Sequence, residues 1–473
     1  MRKYGFLCWV LGFAVFGLAT MASPTRALCA EGDPNWKALE KEAVSLLSRY
    51  IQIDTTNPPG NEIKAAKFFK FIFDREGIEA RIFESAPGRG NIYARLRGDG
   101  SKKALVLLNH MDVVPADRRF WSEEPFGGLV KDGYVWGRGA LDMKGSAIVE
   151  LMTMLILKRQ GIPLKRDIIF LGMADEEAGG AMGLGFMVKE HFDLFKDAEF
   201  VLNEGGRINL RGDGKVPYYA VGVSEKGPFW LKLTVRGSPG HGSTPKSDSA
   251  VNKLIASLNR IINYQTRLKV VPEVQRFYAD IADLEPSPKK ERLKDLKRSL
   301  KDPVFAAEFT KNPRANARVR NTISVTMLEG SSKVNVIPSQ ASAKIDIRLL
   351  PGEDPKEFLK ELRLVIGDES IKIERILSIP PISSPTNSEL FQIISEVSRN
   401  HDPEAVITTP LLRGFTDCHY FRERGILCYG FMPFKKSDKE RSRVHGNDER
   451  ISVENIKFGM GMLYEIVRKL VAK

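Results

Sequence analysis

Three stretches of the sequence, "ALVLLNH" (104–110), "DIIFLGMA" (167–174) and "AEFVLNE" (198–204), are dominated by consecutive apolar residues and stop at an imidazole or at carboxylates. A strand with one face in water alternates polar and apolar side chains, so an uninterrupted run requires cover on both faces. Between the first two lies "GSAIVELMTMLILKRQG" (145–161), apolar at helical spacing. Strand, helix and strand in that order, with both strand faces buried, restrict the chain to an α/β fold with a central sheet flanked by helices.

Upstream, "WKALEKEAVSLLSRYIQI" and "IKAAKFFKFIFDREG" read as two helices joined by the loop "DTTNPPGNE". The period changes after about residue 222. "PFWLKLTVRG", "NTISVTMLEG" and "ASAKIDIRLLPG" alternate with period two, and "SAVNKLIASLNRIINYQ" is helical. This predicts a smaller α+β domain over 222–355, inserted between the two parts of a larger one, 31–221 and 356–473, with 265–320 a charged helical elaboration of the insert. A length of 473 residues suits such a division.

Residues 1–30 have the layout of a secretory signal peptide: "MRKYG", an apolar run over 6–22, then small residues. A secreted or periplasmic protein is expected, anchored in a membrane if the leader is kept. The net charge of +13 is scattered along the chain. "PKKERLKDLKRSLK" alternates in sign and reads as a solvated helix face, so no nucleic-acid partner is expected. Beyond the leader the cysteines are Cys418 and Cys428, which either pair in an oxidising compartment or stay as buried thiols.

The strand ends carry the chemistry. The first ends in His110 and Asp112, the second in Asp175, Glu176 and Glu177, the third in Glu204, and "VWGRGALDMKG" sets Asp142 just before a helix. Open α/β sheets form their sites beyond the carboxyl ends of strands, so His110, Asp142, Glu177 and Glu204 can converge although far apart in the chain. One imidazole among several carboxylates suits a divalent metal such as zinc. The His-x-Asp spacing lets Asp112 turn back and orient His110. "SRVHGNDERI" adds His445 in a polar loop. Singly, each acid also reads as a solvated strand end; the ordered set favours a metal site. Asp175, Gly179 and Gly180 read as turn residues.

"LLNHMDVVPA", "WGRGALDMKG", "ADEEAGG", "GHGSTP", "KVNVIP", "IDIRLLPGED" and "RVHGNDERI" follow one another in this order. The set resembles the co-catalytic zinc metallopeptidases that include carboxypeptidase S, carboxypeptidase G, aminoacylase and succinyl-diaminopimelate desuccinylase, and leans toward the carboxypeptidase S-like branch. The resemblance covers about 40–470. It implies a catalytic domain with a mixed sheet, an inserted lid and dimerisation domain, and two zinc ions, with cobalt or manganese as alternatives. Asp142 would bridge the metals, His110 and Glu204 completing one and Glu177 and His445 the other. Glu176 would be the general base. His241 in "GSPGHGSTP" would steady the oxyanion, commonly from the other subunit of a homodimer, and Arg348 and Asn335 would contact the substrate's carboxylate. The pattern departs at Gly242, and at Arg413 and Phe415, which occupy a pocket loop that is often glycine-rich. The implied activity is hydrolysis of an amide bond next to a free C-terminal carboxylate, in a peptide (carboxypeptidase or dipeptidase) or in an N-acyl amino acid. A non-catalytic binding protein on this fold should have lost the base or a ligand, and none is missing.

Overall fold

The computed structural model describes residues 33–473, so the leader expected over 1–30 lies outside the described residues. The central sheet has six strands, in the order Glu79–Glu84, Gly90–Leu96, Ile168–Met173, Ala104–His110, Ala198–Asn203 and Leu427–Gly430. The first two pair antiparallel with their neighbours and the other four run parallel, so the sheet is mixed. The apolar runs are explained by what lies on each face. Leu105, Leu107, Ile168, Phe170 and Leu202 enter a core shared with the helices Trp36–Ile51, Lys144–Gln160 and Val453–Val471. Val106, Leu108, Ile169, Leu171 and Val201 point the other way, against Leu184, Met187 and Phe421. The strands Glu79–Glu84 and Gly90–Leu96 were not read from the sequence.

A second, antiparallel sheet runs in the order Thr322–Glu329, Gln340–Leu349, Gly227–Arg236 and Lys372–Ser378. Its strands alternate buried and half-exposed positions, and the helices Ala250–Asn263 and Pro355–Ile366 supply the apolar cover. The sheet thus continues past residue 355, where the sequence reading ends the insert. The reason is local: an amphipathic helix followed by a strand looks alike on either side of a domain boundary, and only the packing of Phe358, Leu362 and Ile366 on this sheet assigns them. The elaboration over 265–320 is a set of short helices around Val274, Phe277, Leu293 and Leu296. A further four-stranded sheet, Val406–Thr408, Tyr218–Ala220, Arg207–Asn209 and Lys435–Lys436, is built from pieces too short to show a period. Cys418 and Cys428 are joined in a disulfide. Among the described residues no helix is long and apolar enough to cross a membrane.

Candidate metal centre

Parallel register brings the strand ends together. His110 is in register with Met173, two residues before Asp175, and Leu107 is in register with Leu202, two before Glu204. The imidazole of His110 is buried. Its Nδ1 lies 2.9 Å from the backbone carbonyl of Asp112, so Nδ1–H donates there and Nε2 faces the acids. Nε2 is 3.2 Å from Asp142 Oδ1 and 3.9 Å from Glu204 Oε1. His445, brought in from the C-terminal region, places its Nε2 3.1 Å from Asp142 Oδ2 and 3.1 Å from Glu177 Oε1. Asp142 therefore sits between two imidazoles, one on each oxygen. Two groupings of ligand atoms lie within 4.8 Å of one another: His110, Asp142 and Glu177, and His110, Glu176 and Glu204.

Asp112 behaves differently from the sequence expectation. Its backbone carbonyl makes the hydrogen bond to His110, while its carboxylate Oδ1 stays 3.6 Å from Nδ1. The carboxylate is engaged elsewhere, accepting from the backbone N–H groups of Glu176 and Glu177 at 3.1 and 3.2 Å and from Asn57 Nδ2 at 2.8 Å. It thereby fixes the turn that carries both glutamates. Asp175 holds the same turn from below. It adopts a left-handed φ of 70° and accepts from Met182 N–H, from Asn57 Nδ2 and from the Arg89 guanidinium. Gly180, with φ of 73°, is required here because a Cβ would lie 2.7 Å from Asp417 Oδ1.

The electrostatics record a site crowded with acids. Burial, with Asp142 beside it, pushes Glu204 up to about 8. Burial and the neighbouring Glu204 raise Glu176 well above the usual carboxylate range. Burial would raise Asp142 as well, but His110 and His445 hold it well below its ordinary value. The partners Asp142 and Glu177 push His445 up to about 10. Two imidazole nitrogens and four carboxylates converging in this way form a donor set of the kind that holds hard or borderline divalent cations.

Sequence reasoning missed several supporting residues. Glu449 is wholly buried and accepts from Arg138 Nη1, Gly139 N–H, Leu141 N–H and Asp142 N–H, at 2.7, 3.0, 2.7 and 3.1 Å. It ties the loop bearing Asp142 to the loop bearing His445. Its signal was present, four residues after His445 in the quoted "RVHGNDERI". Asn57, in the loop read only as a connector, and Arg89, outside every quoted motif, hold Asp112 and Asp175. Asp417 lies buried against Gly180, and burial pushes it up to about 8.

The residues expected to meet the substrate sit in the insert. His241 and Asn335 are brought together: the strand pair Gly240–His241 and Val336–Ile337 places Gly242 N–H 2.8 Å from the Asn335 carbonyl, and both residues are exposed. Arg348 is gripped by Asp346 at 2.7 and 3.0 Å and lies over the rings of Trp230 and Phe415, 5.6 and 5.1 Å from their centroids. No contact joins these three to the acid cluster among the described residues.

A mixed α/β sheet whose strand ends gather imidazoles and carboxylates defines a hydrolase of the metallopeptidase class. The particular family is Peptidase family M20/M25/M40, whose profile matches residues 106–469, well over half of the chain, and the chain belongs to it. It is 31% identical over 383 residues to "Probable carboxypeptidase S-like 2" of Dictyostelium discoideum, covering 78% of this chain and 72% of that protein. It is 29% identical to human "N-fatty-acyl-amino acid synthase/hydrolase PM20D1", covering 85% of this chain and 80% of the relative. The fold is similar to that of the M20 family metallo-carboxypeptidase Sso-CP2 from Sulfolobus solfataricus, with a TM-score of 0.68 at 18% identity over 90% of this chain and 98% of that one.

Proposed function

We propose that the protein is a dizinc hydrolase of an amide bond adjacent to a free C-terminal carboxylate, acting as a carboxypeptidase or dipeptidase. The observation that carries this reading is Asp142, flanked by His110 on one oxygen and by His445 on the other. His110, Asp142 and Glu204 would hold one cation, and Glu177, Asp142 and His445 the second. A bound pair of such cations activates water and polarises the scissile carbonyl. Glu176 takes the proton of the attacking water and delivers it to the leaving nitrogen. Burial beside Glu204 makes Glu176 a stronger base than an exposed glutamate, in keeping with that task. Asp112 positions Glu176 and Glu177 through their backbone N–H groups rather than acting on substrate.

The insert supplies the remaining contacts in this reading. Arg348 offers a planar fork to the substrate carboxylate beside Asn335, and its Nη1 has no hydrogen-bond partner. His241 stands exposed and reaches the oxyanion from the second subunit of a homodimer. The edge strand Thr322–Glu329 and the residues up to the short strand Val336–Ile337 favour such pairing by exposing Met327, Leu328, Val334 and Val336. The disulfide between Cys418 and Cys428 supports a secreted or periplasmic setting. A second reading, cleavage of N-acyl amino acids, is favoured by the human relative's printed activity. Metal content measured beside turnover of dipeptides and N-acyl amino acids, with and without chelator, tests both. Full activity of metal-free protein, or of Glu176→Gln, would refute the mechanism.

A further inference from the structure

Arginines recur along the segments that carry the residues of the metal centre. Three segments that carry its residues also carry an arginine a few positions away: Arg207 after Glu204, Arg413 before Asp417, and Arg441 before His445. The helical elaboration adds Arg314 and Arg318. Contacts link Arg207, Arg314, Arg318 and Arg441, and Arg413 follows two residues after one of their partners. Arg207 donates to Tyr218 Oη at 2.6 Å and lies over that ring; Tyr218 packs on Phe277, and Arg318 lies over the Phe277 ring, 5.2 Å from its centroid. Arg318 donates to the carbonyls of Leu411, two residues from Arg413, and of Arg314. Arg441 donates to Asn209 Oδ1 at 2.7 Å, two residues along the strand from Arg207.

Little opposes this charge. Among the described residues, the ion pairs of these five involve a single carboxylate, the exposed Asp438, which pairs with Arg441 and, at 3.9 Å, with Arg314. Arg207, Arg318 and Arg413 have none. Burial and the other guanidiniums hold Arg413 below the usual arginine range and bring Arg441 to about 10. Side chains that repel one another this way raise the energy of the empty site and are stabilised by an anion, which a planar guanidinium binds through paired hydrogen bonds. Arg348, by contrast, is paired with Asp346 and lies over the Phe415 ring.

We infer that Arg207, Arg314, Arg318, Arg413 and Arg441 form a second anion subsite, which selects substrates carrying a carboxylate or phosphate in addition to the carboxylate next to the scissile bond. This rests on the amide hydrolysis proposed above and narrows its substrates to acidic ones, such as peptides with an acidic side chain or amino acids bearing a dicarboxylic acyl group. The departure of Arg413 from a glycine-rich pocket loop acquires a purpose here: it places a cation where such a loop offers none.

The test compares matched substrates that differ only in charge, glutamate against glutamine at the same dipeptide position, on the metal-loaded full chain. The expected kcat/KM preference for the acidic member is about tenfold or more, carried mainly by KM. Arg413→Gln, at a residue with no ion pair to lose, should collapse that ratio, and Arg207→Gln should do the same. Calorimetric titration with glutarate and with inorganic phosphate reports on the subsite directly and does not depend on turnover. If no amide is hydrolysed, the proposed activity fails, yet glutarate binding weakened about tenfold by Arg413→Gln would still uphold the subsite. The inference is overturned by equal rates on the charged and neutral members, by a ratio that survives both substitutions, or by phosphate binding that the substitutions abolish without any preference for acidic substrates.

Discussion

The carboxylate of Glu449 is the part of the site whose removal should be most revealing. Its Oε1 accepts from Leu141 and Asp142 N–H, and its Oε2 from Arg138 Nη1 and Gly139 N–H, with the side chain fully buried. Glu449→Gln keeps the shape and one oxygen but turns an NH2 toward two donors. If the oxygen stays with Leu141 and Asp142, the buried Arg138 loses its counter-charge, which costs about 3–5 kcal/mol. If the amide flips, the N–H groups of Leu141 and Asp142 both lose their acceptor, at about 1–3 kcal/mol each, and the aspartate between the two imidazoles is released. A chain of this size gains roughly 1 kcal/mol/K of entropy on unfolding, so the first outcome lowers the melting temperature by about 3–5 °C. Losing a partner that orients a ligand should also weaken metal binding by about 10–100-fold. Chelator-competition titrations of wild type and Glu449→Gln, beside thermal melts, measure both effects. A variant that binds metal within about twofold of wild type and melts at the same temperature would refute the tether.

The remaining predictions address separate parts of the molecule. Glu176→Gln should keep the metal complement and lower kcat by about 10²–10⁴-fold, whereas Glu177→Gln should lower metal affinity itself; elemental analysis beside kinetics separates the two. Glu150 is buried with Asn109 as its hydrogen-bond partner, and burial raises its carboxyl well above the ordinary value of 4.5. Between those two values the folded chain binds a proton that the unfolded chain has released, so this group's contribution to stability is intact below pH 4.5 and declines as pH rises toward the raised value, by about 1.4 kcal/mol per unit. Glu150→Gln should therefore melt progressively higher than wild type as pH rises above 4.5 in matched buffers, and parallel curves would show the slope to come from elsewhere. Replacing both Cys418 and Cys428 by serine opens a loop of sequence separation 10 and should cost about 2–3 kcal/mol, seen as a lower melting temperature than the oxidised protein.

The parts of the fold that could be read from the sequence were those in which burial leaves a pattern. The runs over 104–110 and 167–174 and the helix after Asp142 needed no partner to be recognised, because both faces of those strands and most of that helix are covered. The strands Glu79–Glu84 and Arg207–Asn209 escaped, the first with half its positions exposed and the second of three residues. The boundary at 355 failed for a related reason, since only tertiary packing assigns Pro355–Ile366 and Lys372–Ser378 to the second sheet. Within the site, side chains at the ends of apolar strands announced themselves. Residues acting through backbone groups did not: nothing in the letters distinguishes the Asp112 carboxylate, which binds two N–H groups, from one that orients an imidazole.

That distinction bears on why "ADEEAGG" contains two adjacent glutamates. Neighbouring side chains on one turn diverge, so a ligand and a base can share a backbone only if the turn itself is rigid. Here the rigidity comes from both sides. Asp112 takes the N–H of each glutamate, and Asp175, in a left-handed conformation, is held by Arg89, Asn57 and Met182. Glu177 is thereby directed at His445 and Asp142, and Glu176 at His110 and Glu204. An acid cluster this dense is tolerable only with compensating positive charge. On the inner side that compensation falls to Arg89, which is spent on Glu62 and Asp175 and cannot also serve Glu176, Glu177 and Glu204. The three glutamates are left facing one another with two imidazoles, a charge imbalance that divalent cations relieve and that no cationic side chain among their described ion-pair partners, other than those two histidines, does.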